Sequence, residues 1–295
     1  MRTRTAFAAF TATIVLVGAG LFAIWRLVDD TFSLAIPGLP SCVVDSSTAE
    51  GPSPPTDEVT LVPSRMANAA TIAAVGLRRG LPRRAMVVAL ATALQESKLD
   101  NLSGGDRDSI GLFQQRPSQG WGTSEQVGDP RYAAAAFYTA LLRVSDWQTM
   151  RVTDAAQAVQ RSAHPELYEK WAPTAEVLVS ALAGDASGAV ACTLPAAQDP
   201  RGSMATASVT ADLRLDWGDV ATDQATDPLG VVVPVANVRS GWQYAHWLVS
   251  HAHGHGVTRV RFDDQEWTAR KGNWRRAETG ARAGGKHVLA DVIPS

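Results

Sequence analysis

The amino-acid sequence predicts a mainly α domain, then a small α+β domain, with one transmembrane helix in front of them. The first observation is an uncharged run of about 20 residues, Ala6–Trp25, which is long enough to span a bilayer as a helix. The second is the helical spacing of apolar residues through residues 64–183. The third is residues 211–295, where one helical stretch is followed by alternating, strand-like stretches.

The N-terminal segment, residues 1–28, is predicted to be a signal anchor. Basic residues before the apolar run favour a single-pass membrane protein whose C-terminal domains lie outside the cytoplasm. A cleaved signal peptide is the alternative, and the protein would then be secreted. Stretches rich in Pro, Ser and other small residues predict linkers over residues 29–63 and 184–210.

The composition excludes one class of function. Hydrophobic residues make up 45% of the chain and charged residues 19%, as in globular proteins. The formal net charge is −2, so no overall positive field attracts nucleic acid. We therefore expect no nucleic-acid partner.

The helices of residues 64–183 are predicted from their end signals. Ser64 is expected to cap the first helix, and Pro82 opens a second one that continues to Gln95-Glu96-Ser97. A glycine- and aspartate-rich turn follows, with a short strand or buried turn over residues 110–115. Asp129-Pro130, Thr153 and Pro165 begin the later helices, and the last of these is expected to bend near Pro173.

Cys42 and Cys192 flank this helical segment and are candidates for a disulfide. In an oxidising compartment they would close a loop of about 150 residues, worth roughly 5 kcal/mol in the chain-entropy model. The alternative is two unpaired thiols. Neither cysteine has the spacing of a zinc or redox motif.

Glu96 is the candidate catalytic residue. It ends an apolar-rich helix, where the helix dipole and the apolar surroundings both disfavour a carboxylate and raise its pKa. A glutamic acid that is protonated near neutral pH can protonate the leaving oxygen of a glycosidic bond. A solvated surface glutamate is the alternative.

An ordered set of short motifs carries a family resemblance. Glu96-Ser97 is followed by Gly111-Leu112-Phe113-Gln114 and then by an alanine-rich helix after Asp129-Pro130. This order resembles the lysozyme-like superfamily, and most closely the soluble lytic transglycosylase domains of actinobacterial cell-wall proteins. The resemblance implies a lysozyme-like fold for residues 64–183, with Glu96 acting first as general acid and then as general base.

The same resemblance implies a set of substrate-binding residues. Gln114 would bind sugar near the cleaved bond, and Ser97 would orient Glu96 or the substrate. Gln115 and Gln160 are also expected to bind the substrate. The family often has an Ala-Tyr-Asn-Ala-Gly motif where this chain reads Val159-Gln160-Arg161-Ser162-Ala163. The tyrosine that supports the acid is therefore not visible, and Gln160 or Arg161 is expected in its place. An arginine near Glu96 would lower the pKa of that residue and oppose the acid role.

Other side chains allow two readings. Asp100, Asp106 and Asp108 are candidates for a second carboxylate, or they bond to backbone N–H groups in turns. Trp121 lies on a glycine-flanked loop and is a candidate for stacking on sugar, with a core position as the alternative. The aromatic residues at helical spacing are interpreted as core.

Residues 211–295 predict a helix through Trp242 and strands over 229–235, 257–262, 265–270 and 287–293. His251, His253 and His255 invite a metal site, but the glycines between them indicate a helix end, and no metal is expected. The layout resembles a degenerate D-Ala-D-Ala peptidase-like domain of the Hedgehog-like fold. Asp227, Pro234 and Leu289 stand at the positions of its zinc ligands, which implies a binding-only domain without cofactor.

These observations predict a membrane-anchored, extracytoplasmic enzyme that cleaves the MurNAc–GlcNAc bond of peptidoglycan. The expected partners are glycan strands and the membrane, and no cofactor is expected. The alternative is a catalytically inactive scaffold that binds peptidoglycan. A component of a secretion or division complex is a weaker third hypothesis.

Overall fold

The computed structural model describes residues 39–47, 58–162, 165–195, 200–278 and 284–295. About 47% of these residues are helical and 20% lie in strands. The α-helices are α1 (Pro63–Arg78), α2 (Arg83–Ser97), α3 (Ser124–Gly128), α4 (Pro130–Leu141), α5 (Val152–Gln160), α6 (Ala172–Leu182), α7 (Gly202–Trp217) and α8 (Val238–His255). Two 3-10 helices cover Pro117–Gln119 and Pro165–Trp171.

The strands form two antiparallel sheets. They are β1 (Ser41–Asp45), β2 (Glu58–Leu61), β3 (Val190–Thr193), β4 (Asp223–Thr226), β5 (Leu229–Pro234), β6 (Val257–Asp263), β7 (Gln265–Thr268), β8 (Trp274–Arg276) and β9 (Gly284–Val292). The first sheet has the strand order β2-β1-β3, and the second has the order β4-β5-β9-β6-β7-β8.

The three-stranded sheet corrects the predicted fold class. A mainly α domain was expected, yet the helical segment begins and ends in a sheet whose strands come from the expected linkers 29–63 and 184–210. Each strand has only four or five residues. Such a strand is stabilised by partners distant in the chain, so a local sequence pattern does not reveal it.

The disulfide prediction is confirmed. Cys42 and Cys192 face each other in the register of β1 and β3 and form a disulfide bond. Both residues are fully buried. The bond fastens the strand before the helical segment to the strand after it.

The six-stranded sheet packs against α8. Trp242 lies edge-on to Phe262 of β6, with 5.2 Å between the ring centroids. The Phe262 ring also lies directly over Gly241, where a Cβ atom would lie only 1.9 Å from the ring. The predicted helix and the strands predicted over 229–235, 257–262, 265–270 and 287–293 correspond to α8, β5, β6, β7 and β9, whereas β4 and β8 of this sheet were not predicted.

The two halves of the sequence share one core. All the described residues belong to a single compact unit, and α1 is in contact with α8, α7, α4 and α2. Thr71 of α1 donates a hydrogen bond to the buried Asp216 of α7 (2.8 Å), and Trp247 of α8 donates another (2.7 Å). Arg131 of α4 pairs with the other oxygen of Asp216 at 2.6 Å.

The helix ends follow proline and aspartate signals. The Asp129 carboxylate accepts from the backbone N–H groups of Arg131 and Tyr132, and it caps α4 as predicted. The prediction for Ser64 is wrong, because Val62 is the N-cap of α1 and Pro63 fills the first turn. Proline has no N–H to satisfy at that position, so it fits there without a side-chain cap.

The predicted membrane-spanning run, Ala6–Trp25, lies outside the described residues. Within the described residues, no helix has both the length and the apolar character needed to cross a bilayer.

Candidate functional site

Glu96 lies in the last turn of α2, at the point where the helix stops. Lys98 and Leu99 both have left-handed backbone angles (φ 56° and 67°), which end the helix abruptly. The Ser97 hydroxyl is buried and donates to the carbonyl oxygen of Leu112 at 2.8 Å. Ser97 thus fastens the end of α2 to the turn over residues 110–115 and does not reach toward solvent.

Two side chains donate hydrogen bonds to the same oxygen of Glu96. The Tyr168 hydroxyl lies 2.6 Å from Oε1, and the amide nitrogen of Gln160 lies 3.2 Å from it. Gln160 also donates to the carbonyl oxygen of Phe113 at 2.7 Å. Helix α5, the second 3-10 helix and the turn over residues 110–115 therefore meet at the carboxyl group of Glu96.

Burial raises the pKa of Glu96 above its ordinary value, and the hydrogen bonds from Tyr168 and Gln160 partly oppose that rise. Desolvation disfavours the charged carboxylate, whereas the two donors favour it. Burial also raises the pKa of Tyr168, and the charge of Glu96 adds to that effect. Tyr168 therefore keeps its proton and remains a donor to Glu96.

Tyr168 is the hydrogen-bond donor to Glu96 that sequence reasoning missed. The family motif places a tyrosine within a later helix, and position 160 of this chain holds glutamine. Here the tyrosine lies in the 3-10 helix Pro165–Trp171 and is 1% exposed. Gln160 donates to Glu96, and its expected role in binding substrate stays a prediction, whereas Arg161 is exposed at the end of α5.

The two glutamines of the buried turn lie in different environments. Gln114 is half-buried, has a left-handed backbone (φ 47°) and donates to the carbonyl oxygen of Gly111 at 3.1 Å. Gln115 is 1% exposed and donates to the carbonyl oxygen of Ala133 at 3.2 Å. Gln115, predicted as a substrate-binding residue, therefore occupies a core position against α4.

A groove of about 1030 Å³ lies beside this site. Its walls are the loop after the first 3-10 helix, which carries Trp121, and the facing sides of α4 and α5. Tyr132 lines it from α4, and Arg143 lines it from the segment just after that helix. Gln160 connects the groove to Glu96, because it lines the groove and donates a hydrogen bond to Glu96. An aromatic ring and polar side chains along an open groove suit a sugar polymer.

Two of the three aspartates near Glu96 in sequence accept hydrogen bonds from arginine side chains, and the third is exposed. Asp100 accepts two hydrogen bonds from Arg65, at 2.7 and 3.0 Å. Asp108 accepts from Arg116 and from the Ser118 backbone, and these bonds lower the pKa of Asp108. Asp106 is exposed. The bonds of Asp108 hold the turn in place, whereas those of Asp100 join the segment after α2 to α1.

The histidines of α8 take part in a network of hydrogen bonds. The His251 ring is buried, stacks on Trp247 with 4.0 Å between centroids, and lies 3.3 Å from the Thr71 hydroxyl. His255 lies 3.1 Å from Asp212, and His253 is exposed. Among the residues that the structure describes, no group of three or more His, Cys, Asp or Glu side chains is placed to hold a metal ion.

No family model matches the chain, and no curated protein matches it significantly. The geometry around Glu96 is therefore the basis for the proposed function.

Proposed function

We propose that the protein cleaves the glycan strand of peptidoglycan, with Glu96 as the general acid and then the base. The observation that carries the proposal is a half-buried glutamic acid with a raised pKa and two hydrogen-bond donors on one oxygen, beside an open groove. The order of the Glu-Ser, Gly-Leu-Phe-Gln and Asp-Pro motifs, which resembles that of the lytic transglycosylases, adds support.

In the first step, Glu96 gives its proton to the glycosidic oxygen as the bond between that oxygen and the anomeric carbon breaks. The bonding electrons leave with the oxygen, which becomes a hydroxyl group. Positive charge develops on the sugar while negative charge develops on Glu96. Tyr168 and Gln160 stabilise this carboxylate, because both donate hydrogen bonds to Oε1.

In the second step, a hydroxyl of the same muramyl sugar attacks the anomeric carbon. Glu96 takes up the proton of that hydroxyl and returns to its starting state. This route forms an anhydro sugar and consumes no water, so it needs one carboxyl group. The partners of Asp100 and Asp108 favour this route over one with a second catalytic carboxylate.

The proposed place of action is outside the cytoplasm. A disulfide such as Cys42–Cys192 is typical of exported proteins, since the cytosol keeps thiols reduced. We propose attachment to the membrane through residues 1–28, on the basis of the uncharged run Ala6–Trp25.

The test is mass spectrometry of soluble products from purified sacculi incubated with the full chain. The wild type should release anhydro-muramyl products, and Glu96→Gln should lower their rate at least a hundredfold, the usual scale of general acid–base catalysis. Glu176→Gln, which removes a carboxylate from α6, is the matched control and should leave the rate unchanged. Equal activity of Glu96→Gln would disprove the mechanism.

Other product patterns would redirect the assignment. Products with reducing ends would mean that water attacks, and a second carboxylate would then be required. Sacculi that bind the protein without releasing product would favour the binding scaffold and contradict the enzymatic proposal.

A further inference from the structure

A second pocket lies in the C-terminal part of the fold. It has a volume of about 690 Å³, within the usual range for small-molecule sites. It opens between the end of α8, the start of β6 and the end of β7, and the segment after β3 completes its wall. None of its lining residues belongs to the site around Glu96.

The floor of this pocket is apolar. It is built from aliphatic side chains that are 9% exposed or less, namely Leu194, Ala252, Val257, Ala269 and Ile293. They come from four separate parts of the chain and are held by backbone pairing. The Leu194 N–H donates to the carbonyl oxygen of Ala269, and the Ala269 N–H donates to that of Thr258. The floor is therefore built into the sheet and does not depend on a flexible loop.

The remaining wall is positively charged. Arg270, Lys271 and Arg275 line the pocket and are exposed, and no acidic side chain is among the described residues that line it. Arg275 is paired with Glu266 at 3.1 Å. Arg270 and Lys271 have no side-chain hydrogen bond or ion pair within the described residues. Two uncompensated cations thus stand beside an apolar floor.

This combination specifies the chemistry of a ligand. Arginine and lysine side chains together suit a phosphate group, which carries more charge than a carboxylate and accepts several hydrogen bonds. The apolar floor suits an aliphatic chain, because burial of apolar surface is favourable. Inorganic phosphate alone would leave the floor unfilled, and a neutral lipid would leave the cations without a partner.

We propose that this pocket binds a phosphate monoester that carries an aliphatic chain. Arg270 and Lys271 hold the phosphate, and the chain lies on the floor formed by Val257, Ala269 and Ile293. This proposal is independent of glycan cleavage by Glu96.

The test is isothermal titration calorimetry, which measures the affinity of the full chain for dodecyl phosphate below its micelle-forming concentration. Inorganic phosphate and dodecyl maltoside are the comparison ligands, since each carries half of the proposed chemistry. Dodecyl phosphate should bind at least tenfold more tightly than either. Arg270→Ala with Lys271→Ala should weaken its binding at least tenfold. Ala269→Leu, which fills part of the floor, should weaken the binding of dodecyl phosphate but not the binding of inorganic phosphate.

The matched control is Arg276→Ala with Lys286→Ala, which removes the same two charges from exposed positions outside the pocket. It should change the affinity less than twofold. The proposal is overturned if the two double variants lose affinity equally, or if either comparison ligand binds as tightly as dodecyl phosphate. Circular dichroism of each variant establishes that the fold is intact.

Discussion

Removing the Tyr168 hydroxyl tests how the environment of Glu96 controls its chemistry. The Tyr168→Phe variant keeps the buried ring and deletes one hydrogen bond of 2.6 Å to Oε1 of Glu96. This bond favours the charged carboxylate and lowers the pKa of Glu96 against the effect of burial. The pKa of Glu96 should therefore rise further in the variant.

The size of the kinetic effect follows from the role of the bond. A hydrogen bond to a charged group contributes about 1.5–3 kcal/mol. In the proposed mechanism this stabilisation develops as Glu96 loses its proton, so its loss raises the barrier by a similar amount. Since about 1.4 kcal/mol corresponds to a factor of ten in rate, the variant should be roughly 10- to 150-fold slower. The alkaline limb of its pH profile, where Glu96 loses its proton, should move to higher pH.

Two measurements check this prediction. One is the pH dependence of product release from sacculi. The other is a carbon-13 NMR titration of the Glu96 carboxyl group, which needs no turnover. Tyr138→Phe is the control, because it deletes a buried hydroxyl that donates to the carbonyl oxygen of Ile72 (2.9 Å) and not to Glu96. An unchanged titration of Glu96 in Tyr168→Phe would refute the reasoning.

Three further predictions concern stability. Because burial raises the pKa of Glu96, its carboxylate destabilises the folded state once the pH rises through that pKa, so Glu96→Gln should raise the melting temperature at pH 7 but not at pH 4. Reducing the Cys42–Cys192 bond, which joins residues 150 positions apart, should cost about 5 kcal/mol in urea denaturation, and an equal midpoint with and without reductant would contradict this. Burial lowers the pKa of His246 and of His251 to about 4, below the ordinary value of 6.5, so stability should fall as the pH drops from about 6.5 to about 4. His246→Asn should make that fall less steep in denaturation measured at several pH values.

The parts that the sequence predicts correctly have local causes. Asp129 and Pro130 begin α4 because an aspartate side chain caps a helix and proline fits its first turn. The half-buried position of Glu96 follows from the apolar helix that precedes it and from the turn that follows it. The strands β6 and β7 follow from alternation over residues 257–268.

The parts that sequence reasoning missed depend on distant partners. Strand β1 is short, and its stability comes from pairing with β2 and β3 rather than from its own five residues. Tyr168 reaches Glu96 from a segment of 3-10 helix, where helical spacing does not predict which face a side chain occupies. The polar side chains of α7 gave no sign that Asp216 would be buried at the centre of a network.

The contact between α1 and α8 determines whether the helical segment around Glu96 can fold on its own. Excising residues 64–183 would expose the face of α1 that α8 covers, and Thr71 and Arg131 would lose the carboxylate of Asp216. The segment after residue 200 therefore serves as a permanent scaffold for the helices that hold Glu96. Gene fusions that exchange the two halves independently should yield insoluble protein, and the evolution of each half is constrained by the other.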